Sequence, residues 1–150
     1  MRFLALTLLA LTASAADVGL DVLGFGASWH SNRNYPWTEV NPGLGVAPYY
    51  KIAPGLEAFV AAGGFTNSTN KHTFFAAPGL RYQYGYVGAE AGVGYLNIDY
   101  DAIKEIRFVG SVFASAGPLS LHATYIPKKE SSGDIPDTKG AAVWLRLRIR

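Results

Sequence analysis

The chain carries three imidazoles, His30, His72 and His122. His30 closes an alternating stretch that begins near residue 18, and Asn67-Ser68 closes another that begins near residue 55. If both stretches are strands ending at one rim of a closed sheet, His30 and Ser68 approach each other although they are far apart in sequence. A histidine beside a serine is the minimum set for acyl transfer: the imidazole takes the hydroxyl proton, or positions it, while the oxygen attacks an ester carbonyl. A third group usually orients the ring. His30 shares strand parity with Gly24, Gly26 and Ser28, which predicts a half-sheltered inward position. The plainer alternative is a pair of solvated polar residues at loop edges, and spacing alone does not separate the two.

The other candidates carry less. His72 opens a strand after Lys71 and reads as rim polarity, while His122 alternates with Ser120 and Thr124 as lumen filling. A metal is discounted, because no His or carboxylate cluster has ligand spacing and Asp99-Tyr100-Asp101 is too little for a calcium loop. No cofactor is expected. Gly24-Phe25-Gly26 and Gly43-Leu44-Gly45 lack the following helix that a phosphate-binding glycine motif needs.

The elements that must position these residues follow a period of two throughout, with no useful run at the helical period. Strands are predicted at 18–30, 40–50, 55–66, 72–83, 85–97, 104–115, 118–127 and 139–150. Most are ~10 residues long, the length with which a tilted strand crosses the hydrocarbon layer. Ala53-Pro54-Gly55, Tyr84-Gly85 and Ala116-Gly117-Pro118 are tight turns, whereas 31–39, 67–71, 98–103 and 128–138 are more polar and mostly longer. Short turns at one end and longer loops at the other are the pattern of an eight-stranded antiparallel transmembrane β-barrel of the outer-membrane type, all-β in class.

In the last strand Val143, Leu145, Leu147 and Ile149 should meet lipid, with Trp144, Arg146, Arg148 and Arg150 facing the lumen. Strand 85–97 divides likewise into Val87, Ala89, Ala91, Val93 and Tyr95 outside, against Gly88, Glu90, Gly92 and Gly94 inside. With Gly24, Gly26, Gly43 and Gly45 added to that inner face, the lining leaves a narrow hollow; relief of strain in coiled strands explains the glycines equally well. Tyr49, Tyr50, Tyr82, Tyr84, Tyr86, Trp29, Trp37 and Tyr125 near strand ends are expected in interfacial aromatic girdles. Pro48 and Pro78 remove ladder donors, so each requires a bulge or break that could admit a lipid tail sideways.

Composition fits this class. Met1-Arg2, the apolar run to about Leu11 and Thr12-Ala13-Ser14-Ala15-Ala16 read as a secretory signal peptide, residues 1–15, leaving 16–150 as one barrel domain. That run is too short for a spanning helix, which takes ~20 residues. A formal net charge of +2 offers no case for nucleic acid, and with no cysteine there is neither disulfide framework nor thiol site.

Ser28-Trp29-His30, Pro36-Trp37, Asn41-Pro42-Gly43-Leu44-Gly45, Asn67-Ser68-Thr69-Asn70-Lys71, Gly117-Pro118-Leu119 and Ala123-Thr124-Tyr125-Ile126-Pro127 together resemble the lipid A palmitoyltransferase (PagP) family, in order and approximate spacing across nearly the whole mature chain. The resemblance implies a monomeric barrel in the bacterial outer membrane, its lumen measuring chain length, that moves a palmitoyl chain from a phospholipid to lipid A. It implies His30 as the catalytic histidine and Ser68 as the catalytic serine. Asn67 stands where better-known members carry aspartate, and an amide orients a ring without neutralising an imidazolium. It further implies a shorter branch, lacking the amphipathic helix that precedes the barrel in longer members. Arg33, Lys71, Lys128 and Lys129 in the outer loops are candidates for holding lipid A phosphates. Two other readings stand beside this one. A non-enzymatic structural or adhesive barrel predicts a plugged lumen with Glu90 paired to Arg146 or Arg148, whereas a soluble lipid-binding barrel needs polar outer faces.

Overall fold

A computed structural model describes residues 17–32, 34, 36–98, 103–129 and 138–149. The predicted signal peptide, residues 1–15, lies outside them, as do Arg33, Asp99, Asp101 and Arg150. Eight strands follow in order: β1 Val18–His30, β2 Val40–Ala53, β3 Leu56–Thr66, β4 His72–Tyr84, β5 Val87–Ile98, β6 Ile103–Ala116, β7 Leu119–Lys129 and β8 Thr138–Ile149. Each pairs antiparallel with the next, and β1 closes on β8, so the sheet is a closed eight-stranded barrel. The described residues include no helix.

Both the predicted strands and the two kinds of connection are present. The three tight turns each carry a glycine with positive φ, Gly55 at 76°, Gly85 at 59° and Gly117 at 62°, a backbone region that side chains with a Cβ resist. These turns, together with the start of β1 and the end of β8, define a turn end; the opposite rim is the loop end. Alternation sorts the faces as the sequence predicts for β5 and β8. Val87, Val93, Tyr95, Val143, Leu145, Leu147 and Ile149 are exposed outward, and the side chains of Glu90 and Arg146 are enclosed. Of the aromatics expected in girdles, Trp29, Tyr82, Tyr84, Tyr86 and Tyr125 are exposed. Two members are corrected. Tyr49 is buried in the lumen beneath Arg148, whose guanidinium carbon sits 4.3 Å from the ring centre, and Trp37 stacks on His30.

The glycine expectation is also corrected in β1. Gly43 and Gly45 do face inward, where an added Cβ would strike the β3 backbone, but Gly24 faces out into open space. The cause is a β-bulge at Gly26. Phe25 and Ala27 pair with Trp144 and Val143, so Gly26 is one residue in excess of β8, and a Cβ on it would lie 2.8 Å from Val143 O. A bulge reverses the parity of everything beyond it. Asp21, Leu23 and Phe25 therefore point inward before it, and Ser28 and His30 point inward after it.

The turn-end half of the lumen is filled by charge. Asp21, Glu57 and Glu90 interlock with Arg81, Arg146 and Arg148, three anions against three cations. Arg81 donates to Asp21 Oδ2 at 2.8 Å and from Nε to Glu57 Oε2 at 2.8 Å. Arg148 makes a fork on Glu57 at 3.0 and 2.8 Å and reaches Asp21 Oδ1 at 3.2 Å. Arg146 bridges Asp21 at 3.3 Å and Glu90 at 2.9 Å. Register builds this plug, since Asp21 lies directly opposite Arg148 and Glu57 opposite Arg81. His122 completes it, lying between the rings of Phe113 and Trp144 with Ser120 Oγ 2.9 Å from its Nε2.

Proline breaks the ladders without shifting them. β2 and β3 pair at Val46–Ala62 and next at Tyr49–Phe59, skipping Pro48; β4 and β5 pair at Ala76–Tyr95 and next at Gly79–Gly92, skipping Pro78. The wide interruption lies elsewhere. β6 and β7 pair only from Ser111–Thr124 to Ala116–Leu119. Among the described residues no ladder pair joins 103–110 to 125–129, although each segment is paired on its other side. That seam is open over the loop-end half of the wall.

Neighbouring residues of β4 test both faces. Leu80, 52% exposed, sits near mid-strand, so Leu80→Arg is expected to destabilise the vesicle-embedded barrel by ~2–4 kcal/mol, as arginine does at the lipid-facing midplane. Arg81→Leu should cost ~3 kcal/mol or more by leaving Asp21 and Glu57 short of a buried partner. Reversible urea unfolding from phospholipid vesicles reads both; a Leu80→Arg cost within ~0.5 kcal/mol of zero, the usual range for a neutral surface site, would rule out lipid contact there.

Candidate active site

Beyond the Gly26 bulge, β1 presents Ser28 and His30 into the loop-end mouth, 8% and 5% exposed. The loop that follows is tied on both flanks. Ser31 N–H donates to Lys139 O at 2.8 Å and its hydroxyl accepts from Lys139 N–H at 3.0 Å. On its return, Glu39 O accepts from Ser28 N–H and Thr38 N–H donates to Ser68 O, each at 2.8 Å. Residues 38 and 39 thus clip β1 to the loop after β3. Asn41, buried at the start of β2, donates to Thr66 O at 3.2 Å and holds the same junction.

The result is a chain of three side chains. Ser68 Oγ lies 2.8 Å from Ser28 Oγ, and Ser28 Oγ lies 3.3 Å from His30 Nε2. The first is an ordinary hydroxyl–hydroxyl hydrogen bond, and the second is long. The imidazole is held flat by Trp37, whose ring stacks on it at 4.2 Å and 14°. The indole N–H is anchored in turn on Asn32 O at 2.6 Å. Behind the ring is Gly140, paired with His30 across the β1–β8 ladder; a Cβ there would lie 3.4 Å from His30 Nδ1 and 2.6 Å from Trp29 O.

Sequence reasoning places His30 and Ser68 at one rim, and they do meet there, through Ser28. Asn67 is different. Its Oδ1 accepts from Thr69 N–H at 3.0 Å, Thr69 Oγ at 2.8 Å and Lys71 N–H at 3.0 Å, and its Nδ2 donates to Thr73 Oγ1 at 3.1 Å. With its amide so committed, Asn67 shapes the Ser68 loop instead of orienting the imidazole; that task falls to Trp37. Asn70, at φ 61°, completes the tight return. Ser28 was missed as a functional group, although its parity with His30 was the signal. Of the loop cations, Lys71 is exposed, while Arg33 and the side chains of Lys128 and Lys129 lie outside the described residues. His72 is exposed at the start of β4. Among the described residues, no three His, Asp or Glu side chains form a metal-holding group.

Below the serines the lumen is hollow. A cavity of about 270 Å³ begins at Ser28 and Ser68, runs between the apolar walls of Phe25, Phe75 and Trp144, and ends on Glu90 and Arg146. It is larger than the ~150 Å³ apolar cavity that takes up benzene in an engineered protein. Phe108 and Tyr125, on the two sides of the unpaired β6–β7 seam, also line it, so the hollow extends to that seam. The arrangement suits a long apolar group lying in the lumen with its polar end beside a hydroxyl and an imidazole.

No protein-family model matches the chain, and no curated protein matches it. Among solved structures, the solution NMR structure of de novo designed TMB2.3, a designed transmembrane β-barrel, is similar with a TM-score of 0.57 over 91% of this chain and 99% of that one, at 18% identity. That likeness concerns the fold, and it is compatible with a membrane location.

If Trp37 holds the imidazole, Trp37→Ala should expose it. Carbethoxylation of His30 by diethyl pyrocarbonate, followed by peptide mass spectrometry with exposed His72 as internal standard, should be several-fold faster in the variant. An unchanged ratio of the two rates would mean that stacking does not restrain the ring.

Proposed function

We propose that this protein is an acyltransferase of the outer membrane, moving a palmitoyl-type chain from a phospholipid to lipid A. One observation carries the reading: the hydrogen-bonded line His30, Ser28, Ser68 opens onto an apolar cavity that reaches the unpaired stretch of the β6–β7 seam. A lipid tail reaches the lumen through the wall without leaving the hydrocarbon layer, and its ester arrives at the mouth. His30 is the general base, Ser68 supplies the attacking hydroxyl, and the acceptor hydroxyl approaches from the loop end. The sequence resemblance to the lipid A palmitoyltransferase family supports the same roles. The door foreseen at Pro48 and Pro78 moves to the β6–β7 seam, because those prolines leave register intact.

The structural-barrel alternative draws on the plug, including the Glu90–Arg146 pair it anticipates. The plug occupies only the turn-end half, however, and a barrel serving only as a scaffold has no use for a hollow under buried hydroxyls. A soluble barrel would bring exposed Val143, Leu145, Leu147 and Ile149 into water, which apolar area disfavours.

The test is expression of the full chain in a Gram-negative host followed by mass spectrometry of its lipid A. The expected result is a species heavier by one acyl chain, lost in His30→Ala and in Ser68→Ala while both variants still assemble in the membrane. No added chain with the unaltered protein, or an undiminished gain in His30→Ala, would refute the assignment.

A further inference from the structure

The hydroxyl of Ser68 finds its partner in Ser28, and Ser28 in turn reaches His30. We propose that Ser28 is the proton carrier between Ser68 and His30, so that the reacting unit is Ser68–Ser28–His30. This rests on the acyl-transfer reading and adds a third residue to it.

Three observations separate Ser28 from a polar residue that merely fills space. Its backbone is already fixed, by pairing with Ala142 in β8 and by the N–H bond to Glu39 O, so the hydroxyl is not needed to hold the strand. Both hydroxyl contacts go to the two groups with chemistry, at 2.8 and 3.3 Å. Ser28 and Ser68 both line the cavity, so the relay lies where a substrate ester would rest. The two strand residues Ser28 and His30 point to one face but stand two positions apart, close to 7 Å along an extended chain, and the bridging hydroxyl spans the interval that separates the base from Ser68.

The step balances with no outside reagent. Ser68 gives its proton to Ser28 Oγ while Ser28 gives its own to His30 Nε2, and Ser68 Oγ bonds to the ester carbonyl carbon. When the tetrahedral adduct collapses, the bond from that carbon to the glycerol oxygen breaks. The leaving oxygen then takes a proton from Ser28, which is resupplied by His30. The acceptor hydroxyl next loses its proton along the same line as it attacks the acyl carbon, the bond to Ser68 Oγ breaks, and Ser68 is reprotonated through Ser28. Over the turnover the acyl chain passes to the acceptor, one proton passes to the glycerol oxygen, and Ser68, Ser28 and His30 are restored.

The test compares Ser28→Thr, which keeps a hydroxyl, with the nearly isosteric Ser28→Val, which lacks one, and with Ser28→Ala as the variant easiest to accommodate. The full-length protein is reconstituted with dipalmitoyl phosphatidylcholine as donor and lipid A as acceptor. Expected are kcat within a few-fold of the parent for Ser28→Thr, a fall of about 10²–10³-fold for Ser28→Val and Ser28→Ala, the scale of general base catalysis, and an unchanged KM for the donor. The rate in mixed light and heavy water should bow for the parent, with more than one proton in flight, and run straight in Ser28→Ala. Active parent protein with Val and Thr variants equal in kcat would overturn the relay alone. Parent protein that moves no chain would take the acyl-transfer reading down together with it.

Discussion

The structure turns on one surplus residue. Gly26 enters β1 without a counterpart in β8, and the face of every later residue in the strand is exchanged. Without that exchange, a strand with Asp21, Leu23 and Phe25 in the lumen would turn Ser28 and His30 into lipid. With it, one strand serves two interiors of opposite parity, an ionic one at the turn end and one holding Ser28 and His30 at the loop end. Glycine is required at the bulge because Val143 O approaches to where a Cβ would stand.

The two interiors depend on each other. A barrel of eight strands is only just wide enough for its side chains, so a hollow in one half must be compensated by close filling in the other. The plug does this with three carboxylates and three guanidiniums whose formal charges cancel. Cancellation matters because an isolated buried charge costs several kcal/mol. Arg146, 2% exposed, is the hinge between the halves. Its guanidinium lies 5.2 Å from the ring centres of both Phe59 and Trp144, and it forms the cavity floor while remaining paired with Asp21 and Glu90. The apolar hollow therefore ends on a surface of ion-paired side chains, and its depth is set by the pairs that Arg146 makes beneath it.

What was legible in the sequence was what repeats. Period two and glycine at the tight turns disclose eight strands, and the polarity of β5 and β8 is read directly from alternation. Hidden was whatever a single residue changes. Parity counting through Gly26 put Gly24 inside and so left Asp21, the centre of the plug, unassigned. Glu57 and Arg81 become a pair only when β3 and β4 are set in register. The same error left His30 correctly placed: counting backward from it through Ser28 is sound, and only beyond Gly26 does the count fail. Prolines 48 and 78 point to other seams, because one missing donor leaves a ladder in step, whereas β6 and β7 are without ladder pairs over a whole half-strand among the described residues.

The site itself shows why spacing underdetermined its roles. A triad reading seeks one polar side chain to orient the imidazole, and Asn67, adjoining Ser68, is the obvious choice from sequence. Two separate constraints are needed at this rim: the ring must be kept flat, and the Ser68 hydroxyl must be kept in place. Trp37 meets the first by stacking, with its own indole anchored on Asn32 O. Asn67 meets the second by gathering Thr69, Lys71 and Thr73 around its amide. An aspartate there could accept from Thr69 and Lys71, and from the Thr73 hydroxyl with the bond reversed. Either side chain can close this loop, and the asparagine's four hydrogen bonds place its contribution in loop geometry.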